Sequence, residues 1–495
     1  MNDKTLTIIC MLCLVTGRLA HAEPLIAPGR LDLRADIEDL ADAGVITAPV
    51  TTWPISWQSI IDEVDSASAT ELSLRERHAL ERVRSEIAIN EQLHRVLPSL
   101  RIGGSNEPFV MRTFSATPRE QGELEAAVSY TGDRLSFNVN LTRAWDSQDD
   151  WRADGSYVAF AIRRWAVVAG SPERWWGPGV QGSLILSTNA RPVPQIGVER
   201  ISAEGFKHRW LRWIGPWTLS TFIGEMDDER LVSDAKLFGV RVTAKPLPQF
   251  EIGFSRAAQL CGNGRSCGAT EFSNMLLGRD NRGRNVADED EPGNQLAGLD
   301  GRWSFRGRPF SVYWQWVGED TRQGGPQIGS WMRLFGAELS GGFPLTNLRH
   351  KTWFEIADTT CQNGGGGFGG NKFNCGYQHS IYKTGFRYEG LPLGYPTDTD
   401  SESLAIVSLL SGADTTSWEL AARSVRVNQG PVATSQLHAL STTPASYYGI
   451  DVTHVRDLPL GRLRVRVGTA ELTESATGIS KRDSSVAVEW MVGYW

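Results

Sequence analysis

The chain has 495 residues, enough for several domains or for one large barrel, and its formal net charge is −7 at pH 7. With 50 basic and 57 acidic residues it lacks the basic surface that nucleic-acid binding needs, so no nucleic-acid partner is expected. Its 51 glycines, 18 tryptophans and interspersed charges argue against a disordered chain.

Residues 1–22 have the organisation of a cleaved secretory signal peptide. Lys4 supplies a charged start, residues 6–15 form an apolar run, and Ala20 and Ala22 are small residues before the expected cleavage site. The apolar run is too short for a membrane helix. Because no later segment reaches the roughly 18 consecutive apolar residues of a membrane helix, the mature chain is expected to be periplasmic, secreted or an outer-membrane barrel.

Apolar residues recur at helical spacing from about residue 31 to residue 89. Gly44 predicts the end of a first helix, and a short second helix is expected after it. Ser73 and Glu76 have the spacing of a capping box, which predicts the start of a longer third helix. Residues 23–100 are therefore predicted to form a small helical bundle, with packing or plugging favoured over chemistry as its role.

From residue 101 onward the pattern changes to the alternation of β-strands. In residues 135–142, for example, leucine, phenylalanine and valine alternate with serine, asparagine and threonine. A soluble sandwich and a membrane barrel both fit such alternation. Long loops between short turns, aromatic residues near strand ends and a final strand over 485–495 favour the barrel. At roughly 20 to 25 residues per strand and connection, residues 101–495 predict about 16 to 20 antiparallel strands, with about 18 favoured.

Four cysteines follow the signal segment, an even number in an oxidising context. Cys261 with Cys267, and Cys361 with Cys375, are predicted to form two local disulfides that each close one loop. Free thiols and metal ligands are less favoured, because no histidine lies at ligand spacing beside either pair. We expect no metal and no other cofactor.

The stretch Glu173–Arg200 departs most from a plain strand pattern. Two adjacent tryptophans precede a Gly-Pro-Gly turn, and a cluster of serine, threonine, asparagine and arginine follows. Aromatic faces beside amide, hydroxyl and guanidinium donors are typical of sugar-binding surfaces. From these residues alone, a tightly packed structural turn is the favoured alternative. The carbohydrate-binding candidates are Arg174, Trp175, Trp176, Asn189 and Arg191.

The sequence contains no complete catalytic motif, and a G-x-G-x-x-G match at 365–370 is an accident of a glycine run. The carboxylates that could serve a glycan hydrolase are Glu319, Asp320, Glu355 and Asp358. Carboxylates paired with arginines that line a lumen, such as Arg241 and Arg464, are the favoured interpretation.

Two acidic clusters are candidates for calcium, although neither has the spacing of an EF-hand loop. They are residues 288–291 and the set Asp398, Asp400 and Glu402, for which solvated loop charge is favoured. Further positive charge is predicted to line the lumen at Arg163, Arg164, Arg423, Arg426 and the ladder Arg462, Arg464 and Arg466.

In residues 173–192, ERWWGPGVQGSLILSTNARP, the chain resembles the Wzi family of capsule-assembly outer-membrane proteins. Agreement continues in the helical start around 40–46, at 213–217 and at 251–256, and so spans nearly all of the mature chain. The resemblance implies a large outer-membrane barrel, a periplasmic helical bundle and extracellular loops that close the mouth of the barrel.

The resemblance also implies a lectin-like, non-catalytic role in which the protein retains capsular or exopolysaccharide at the cell surface. A passive or gated porin for small polar solutes is the alternative, and a barrel enzyme acting on surface glycan or lipid is a second alternative. The expected partners are that polysaccharide, outer-membrane lipid and the polysaccharide export machinery.

Overall fold

The structure is a computed structural model, and it describes most of the chain after the signal segment. The described residues are 25–90, 94–145, 150–276, 293–318, 330–343, 348–363, 373–379, 381–412, 416–430 and 437–493. The predicted signal peptide, the acidic run 288–291 and the candidate acids Glu319 and Asp320 lie outside them.

Three helices precede the strands: α1 (Leu31–Asp42), α2 (Ile61–Ser66) and α3 (Leu74–Asn90). A fourth, α4 (Ala269–Leu276), lies in a later connection. The predicted capping box is present at α3, where Ser73 N donates to Glu76 Oε2 at 2.7 Å and Glu76 N donates to Ser73 Oγ at 3.4 Å. Among the described residues, no helix is both long and apolar enough to cross a membrane.

Eighteen antiparallel strands form a closed barrel, in which each strand pairs with the next and the last pairs with the first. The strands are β1 (Val96–Ser105), β2 (Gly122–Thr131), β3 (Leu135–Trp145), β4 (Trp151–Arg152 and Tyr157–Ile162), β5 (Trp165–Gly170), β6 (Gln195–Arg200), β7 (Trp217–Glu225), β8 (Lys236–Leu247), β9 (Phe250–Leu260), β10 (Gly293–Ser304), β11 (Phe310–Gly318), β12 (Ser330–Phe343), β13 (Leu348–Asn363), β14 (Glu402–Ser411), β15 (Ser417–Val427), β16 (Ala445–Leu458), β17 (Gly461–Glu474) and β18 (Ser480–Gly493). The two pieces of β4 both pair with β3, and Trp490 of β18 lies opposite Ile102 of β1. The predicted mainly-β class, the antiparallel barrel and the favoured strand number are confirmed.

The alternation read from the sequence separates an outer face from a lumen face. On β3, Val139 and Leu141 are each 51% exposed, whereas Ser136 and Thr142 are buried. Val486 and Val488 on β18 are outward in the same way. The strands therefore present apolar side chains outward and polar side chains inward, as a membrane barrel requires.

The two ends of the barrel differ in the length of their connections. At one end, called the short-turn end, most connections are brief, and the exception is 201–216. The brief connections include 132–134, 163–164, 248–249, 305–309 and 459–460. At the other end, called the long-loop end, connections such as 106–121 and 171–194 are longer. Since the chain enters β1 at the short-turn end, the three helices lie at that end.

Ion pairs hold helix α1 inside the barrel. Lys351 of β13 contacts Glu38 of α1 at 2.7 Å, and Arg302 of β10 contacts Asp42 at 2.6 Å. Within α1 the acidic side chains Asp36, Glu38 and Asp39 are buried. Helix α1 thus fills the lumen from the short-turn end, with its carboxylates neutralised by wall cations.

The lumen wall also pairs its own charges. Arg241 and Asp300 form a buried ion pair at 2.6 Å, and Arg464 contacts Glu489 at 3.3 Å, which confirms the predicted pairing of both lumen arginines. Three other predictions of lumen arginines are wrong. Arg163 and Arg164 lie in an exposed two-residue turn, and Arg426 is on the outward side of β15.

Candidate functional site

The stretch Glu173–Arg200 begins in the connection between β5 and β6, and this connection, called the inserted loop (171–194), folds back into the lumen. Within it, Trp175–Trp176 pairs antiparallel with Thr52–Trp53, which follows α1. Gly177 N also donates to the carbonyl of Thr51 at 3.0 Å. A segment from the long-loop end therefore meets a segment from the short-turn end inside the barrel.

The Gly-Pro-Gly turn explains how the inserted loop reverses in so little space. Gly177 has a φ of +148°, and a Cβ there would lie 2.6 Å from Gln315 Nε2. A Cβ on Gly179 would lie 2.3 Å from the carbonyl oxygen of Gly182. The turn can approach the wall only because these positions lack side chains.

The two tryptophans lie in the middle of an aromatic cluster, and both are fully buried. Phe114 bridges Trp53 and Trp175 through edge-to-face contacts, with ring centroids 5.1 and 5.2 Å apart. Trp176 packs edge-to-face on Phe222 of β7 at 5.6 Å. These contacts stabilise the meeting point of the two inserted segments and leave no aromatic face free for a sugar.

A buried carboxylate on the wall fixes the tip of the inserted loop. Glu355 of β13 accepts hydrogen bonds from Val180 N at 2.8 Å and Gln181 N at 3.2 Å. The hydroxyls of Tyr313 and Tyr395 donate to the same carboxylate at 3.0 and 3.2 Å. Glu355, considered above as a catalytic acid, thus serves as a structural acceptor.

Arg174 and Asn189 anchor the two arms of the inserted loop. Arg174 pairs with Glu199 at 2.8 Å and donates to Ser220 Oγ at 2.8 Å. Asn189 donates to the carbonyl of Pro392 at 3.1 Å. Both side chains are buried, so both bind protein groups rather than solvent.

Arg191 is the member of the candidate set whose side chain reaches the surface. Its guanidinium contacts Asp154 at 2.9 Å and Glu389 at 2.8 Å, and 17% of the side chain is exposed. The structure therefore brings the five candidates into one loop but not onto one surface. The packed-turn alternative describes the four buried residues, and carbohydrate contact by the set stays a prediction.

A cavity of about 330 Å³ lies beside the inserted loop, in the part of the lumen bounded by β1 to β4, β17 and β18. Its charged and amide lining includes Arg101, Arg112, Arg119, Glu123, Asn138 and Asn140. Sequence analysis missed these residues because they come from distant segments and form no motif. For the lining residues that lie on strands, the alternation of polar and apolar residues, which marks inward positions, was the only sequence signal that could have identified them.

Arg112 is the unusual cation of this cavity. It is buried, and its guanidinium donates to the carbonyls of Thr188, at 3.3 Å, and Thr117. Burial, reinforced by the neighbouring charge of Arg119, lowers the pKa of Arg112 to about 9. The contacts of both arginines to carbonyls of residues 188–190 show that they support the inserted loop.

Disulfides close two connections at the long-loop end. Cys261 is bonded to Cys267 and Cys361 to Cys375, as predicted. Near the second disulfide, Tyr377 donates to the carbonyl of Leu184 at 2.9 Å, and burial raises the pKa of that tyrosine. The disulfide-closed connection is thereby joined to the inserted loop.

The prediction of solvated loop charge at 398–402 is wrong for Asp398 and Asp400, because both are buried. Asp398 is buried and pairs with Arg387 at 2.6 Å. Asp400 is buried and accepts from Asn374 N at 3.1 Å, whereas Glu402 pairs with Arg426. Among the described residues, no group of three or more histidine, cysteine, aspartate or glutamate side chains is placed to hold a metal ion.

The sequence model of a family described as capsule assembly protein Wzi matches residues 95–453. A Klebsiella pneumoniae protein, described as an uncharacterized 55.8 kDa protein in the cps region, is 32% identical over 314 residues. That alignment covers 61% of this chain and 60% of the Klebsiella protein.

The fold is similar to that of a solved outer-membrane β-barrel. Wzi of Escherichia coli, described as a carbohydrate-binding β-barrel involved in group 1 capsule assembly, superposes with a TM-score of 0.81 at 24% identity. The superposition covers 95% of this chain and 99% of that one. OprD of Pseudomonas aeruginosa gives a TM-score of 0.43 at 8% identity, over 81% of this chain and 96% of its own.

Proposed function

The chain belongs to the Wzi family of capsule assembly proteins, and from that membership we propose that it binds capsular or exopolysaccharide and holds it at the cell surface. The closed barrel and its apolar outer face place the protein in the outer membrane. The solved Escherichia coli relative is described as carbohydrate-binding, which supports the same class of ligand here.

The filled lumen is the observation that carries the proposal. In the described part of the chain, α1 enters from one end, the inserted loop enters from the other, and Thr52–Trp53 and Trp175–Trp176 pair where they meet. A barrel of this width would otherwise enclose a wide aqueous channel. Because the lumen is filled where these two segments meet, a protein that binds its ligand at the outer surface is favoured over a porin that passes solutes through the barrel.

The polysaccharide contact is proposed for the long-loop end, because short turns of outer-membrane barrels face the periplasm and long loops face outward. Arg191, with Asp154 and Glu389 beside it, is the candidate residue with access to solvent. The four buried candidates contribute by holding in place the loop that carries Arg191. They are Arg174, Trp175, Trp176 and Asn189. A polymer gains affinity by repeating many weak contacts of this kind.

A role without catalysis is part of the proposal. The two candidate acids that the structure describes are both engaged by protein donors: Glu355 binds the inserted loop, and Asp358 accepts from Thr360 N at 2.9 Å. Their attachment supports a structural use. Contacts with outer-membrane lipid and with the polysaccharide export machinery stay predictions.

Binding of the purified barrel to isolated surface polysaccharide tests the proposal. We expect retention of the wild-type protein on immobilised polysaccharide and weaker retention of Arg191→Ala. Arg164→Ala is the matched control, because Arg164 is an ion-paired, exposed arginine at the short-turn end. Failure of the wild type to bind would contradict the proposal, and conductance of the barrel in planar bilayers would support the porin alternative instead.

A further inference from the structure

A basic and aromatic segment lies at the short-turn end, in the long connection between β6 and β7. Residues 206–213 read FKHRWLRW, and this segment is called the basic rim. Its exposed apolar side chains include Trp210 and Trp213, which are 68% and 71% exposed. Exposed indole rings next to three cations favour a partner that offers an apolar region to the rings and negative charge to the cations.

The basic rim packs against the outer face of the barrel. Phe206 stacks on Trp217 with ring centroids 4.9 Å apart and an interplanar angle of 11°. Trp217 also contacts Trp165 of β5 edge-to-face at 6.2 Å. Trp165 is exposed on the side of its strand opposite the buried Ala166, so this aromatic group belongs to the lipid-facing surface.

The cations of the basic rim have no carboxylate partner among the described residues. Lys207, Arg209 and Arg212 are exposed and form no ion pair there. Glu204, the acid of the same connection, is already paired with Arg164 at 2.6 Å. The neighbouring turn adds a further exposed cation at Arg163.

Two exposed cations at the opposite end of the barrel, Arg482 and Lys481, behave differently. Arg482 pairs with Glu471 at 2.5 Å, and Lys481 pairs with Asp483 at 3.0 Å. Exposure alone therefore does not leave a cation of this protein unpaired. Exposed cations without an ion pair also occur among the described residues in other turns of the short-turn end, at Arg134, Arg306 and Arg308. What distinguishes the basic rim is that its cations lie next to two exposed indole rings.

We propose that the basic rim binds the headgroups of anionic phospholipids at the membrane surface on the short-turn side. Trp210 and Trp213 lie at the depth of the headgroups, while Arg209 and Arg212 donate hydrogen bonds to the phosphate oxygens. Basic residues near an anionic bilayer surface are attracted to it, and this attraction decreases with salt. A lipid is favoured over a protein partner because Phe206 and Trp217 hold the segment against the lipid-facing wall. The inference is independent of the polysaccharide proposal.

The test uses the full-length protein reconstituted in phosphatidylcholine vesicles with trace spin-labelled lipid. The fraction of spin-labelled lipid whose motion is restricted by the protein gives the association constant of each lipid. The measured quantity is the ratio of the association constants of phosphatidylglycerol and phosphatidylcholine. We expect wild-type protein to prefer phosphatidylglycerol several-fold, and Arg209→Gln/Arg212→Gln to lower that ratio by about threefold or more. The matched control is Lys481→Gln/Arg482→Gln, which removes two cations at the other end and should leave the ratio unchanged.

Two further measurements separate the parts of the proposal. Trp210→Ala/Trp213→Ala should weaken association of both lipids, and heat-dependent mobility on gels verifies that each variant forms the barrel. Equal association of the two lipids with wild-type protein would overturn the proposal and leave the basic rim to a protein partner. Equal loss of preference in the control variant, or abolition of the preference by inorganic phosphate at constant ionic strength, would also overturn it.

Discussion

The two faces of the barrel wall follow different rules. Outward side chains such as Val139 and Leu404 are exposed and need only be apolar. Inward side chains are held by partners far away in the chain, as Lys351 is by Glu38, 313 residues earlier. The wall is thus specified strand by strand, whereas the filling of the lumen depends on the whole chain being in place.

The largest expected effect comes from breaking a buried pair in the lumen. Arg241→Met leaves Asp300 buried without its cation, and loss of one partner of such a pair costs about 3 to 5 kcal/mol of unfolding free energy. Urea unfolding of the barrel in lipid vesicles measures this cost.

The companion variant of this pair separates loss of the charge from loss of the volume. Arg241→Met/Asp300→Leu removes both charges and should recover most of the stability, because replacing a whole buried pair by apolar residues is often neutral. If the single variant were as stable as wild type, the lumen pairs would contribute nothing to the barrel.

The same substitution made inside the lumen and on the outer face compares the cost of losing a side chain in the two environments. Leu184 of the inserted loop is fully buried, and Leu404 of β14 is 49% exposed on the outer face. Both Leu→Ala changes lose transfer free energy, but only the one at Leu184 leaves a cavity, since lipid chains fill the space outside. We expect Leu184→Ala to cost about 1 to 3 kcal/mol more than Leu404→Ala in the same unfolding assay. Equal costs would contradict the distinction between the faces.

The same distinction explains what the sequence predicted. The alternation on β3, the capping box at Ser73 and both disulfides depend on residues close in sequence, and all were predicted correctly. The number of strands followed from their mean spacing, and it too was predicted correctly.

The candidate site could be predicted only in part, because burial in the lumen is a property of the fold. Residues 173–192 were identified as special from their composition, but whether Trp176 faces solvent or Phe222 depends on a strand that is distant in sequence. Asp398 was expected in solvent for the same reason, since nothing local to it reveals its contact with Arg387. Arg112 carried no signal at all, because its guanidinium partners are backbone carbonyls.

Acid should destabilise the start of α1 more than it destabilises the outer wall. Burial alone would raise the pKa of Asp32, but the charge and hydrogen bond of Arg30, 2.9 Å away, hold it below its usual value. Because the pKa of Asp32 is lower in the folded than in the unfolded protein, its ionised carboxylate stabilises the fold above the unfolded-state pKa of about 3.9. This stabilisation is lost as the pH falls below that value.

The corresponding variant is Asp32→Asn, which removes the titrating group while keeping its shape. It should cost about 1 kcal/mol at pH 7, and the loss of stability between pH 5 and pH 3 should become shallower by about that amount. An identical pH dependence in the two proteins would show that the pair does not contribute.

The smallest expected effect is local to the helices. Ser73→Ala removes the capping hydroxyl of α3 and should cost about 0.5 to 1 kcal/mol. Amide hydrogen exchange should rise in the first turn of α3 and stay unchanged in the barrel strands. A change that spreads to the barrel would mean that the helices and the wall unfold together.

The partition of polysaccharide between cells and medium tests the central claim most directly. Cells that lack the gene, cells with the wild-type gene and cells with Arg191→Ala are compared for cell-bound and released polysaccharide at equal total production. If the protein retains the polymer at the cell surface, deletion of its gene moves polysaccharide into the medium, and Arg191→Ala does so in part. An unchanged cell-bound fraction in the deletion strain would contradict the account.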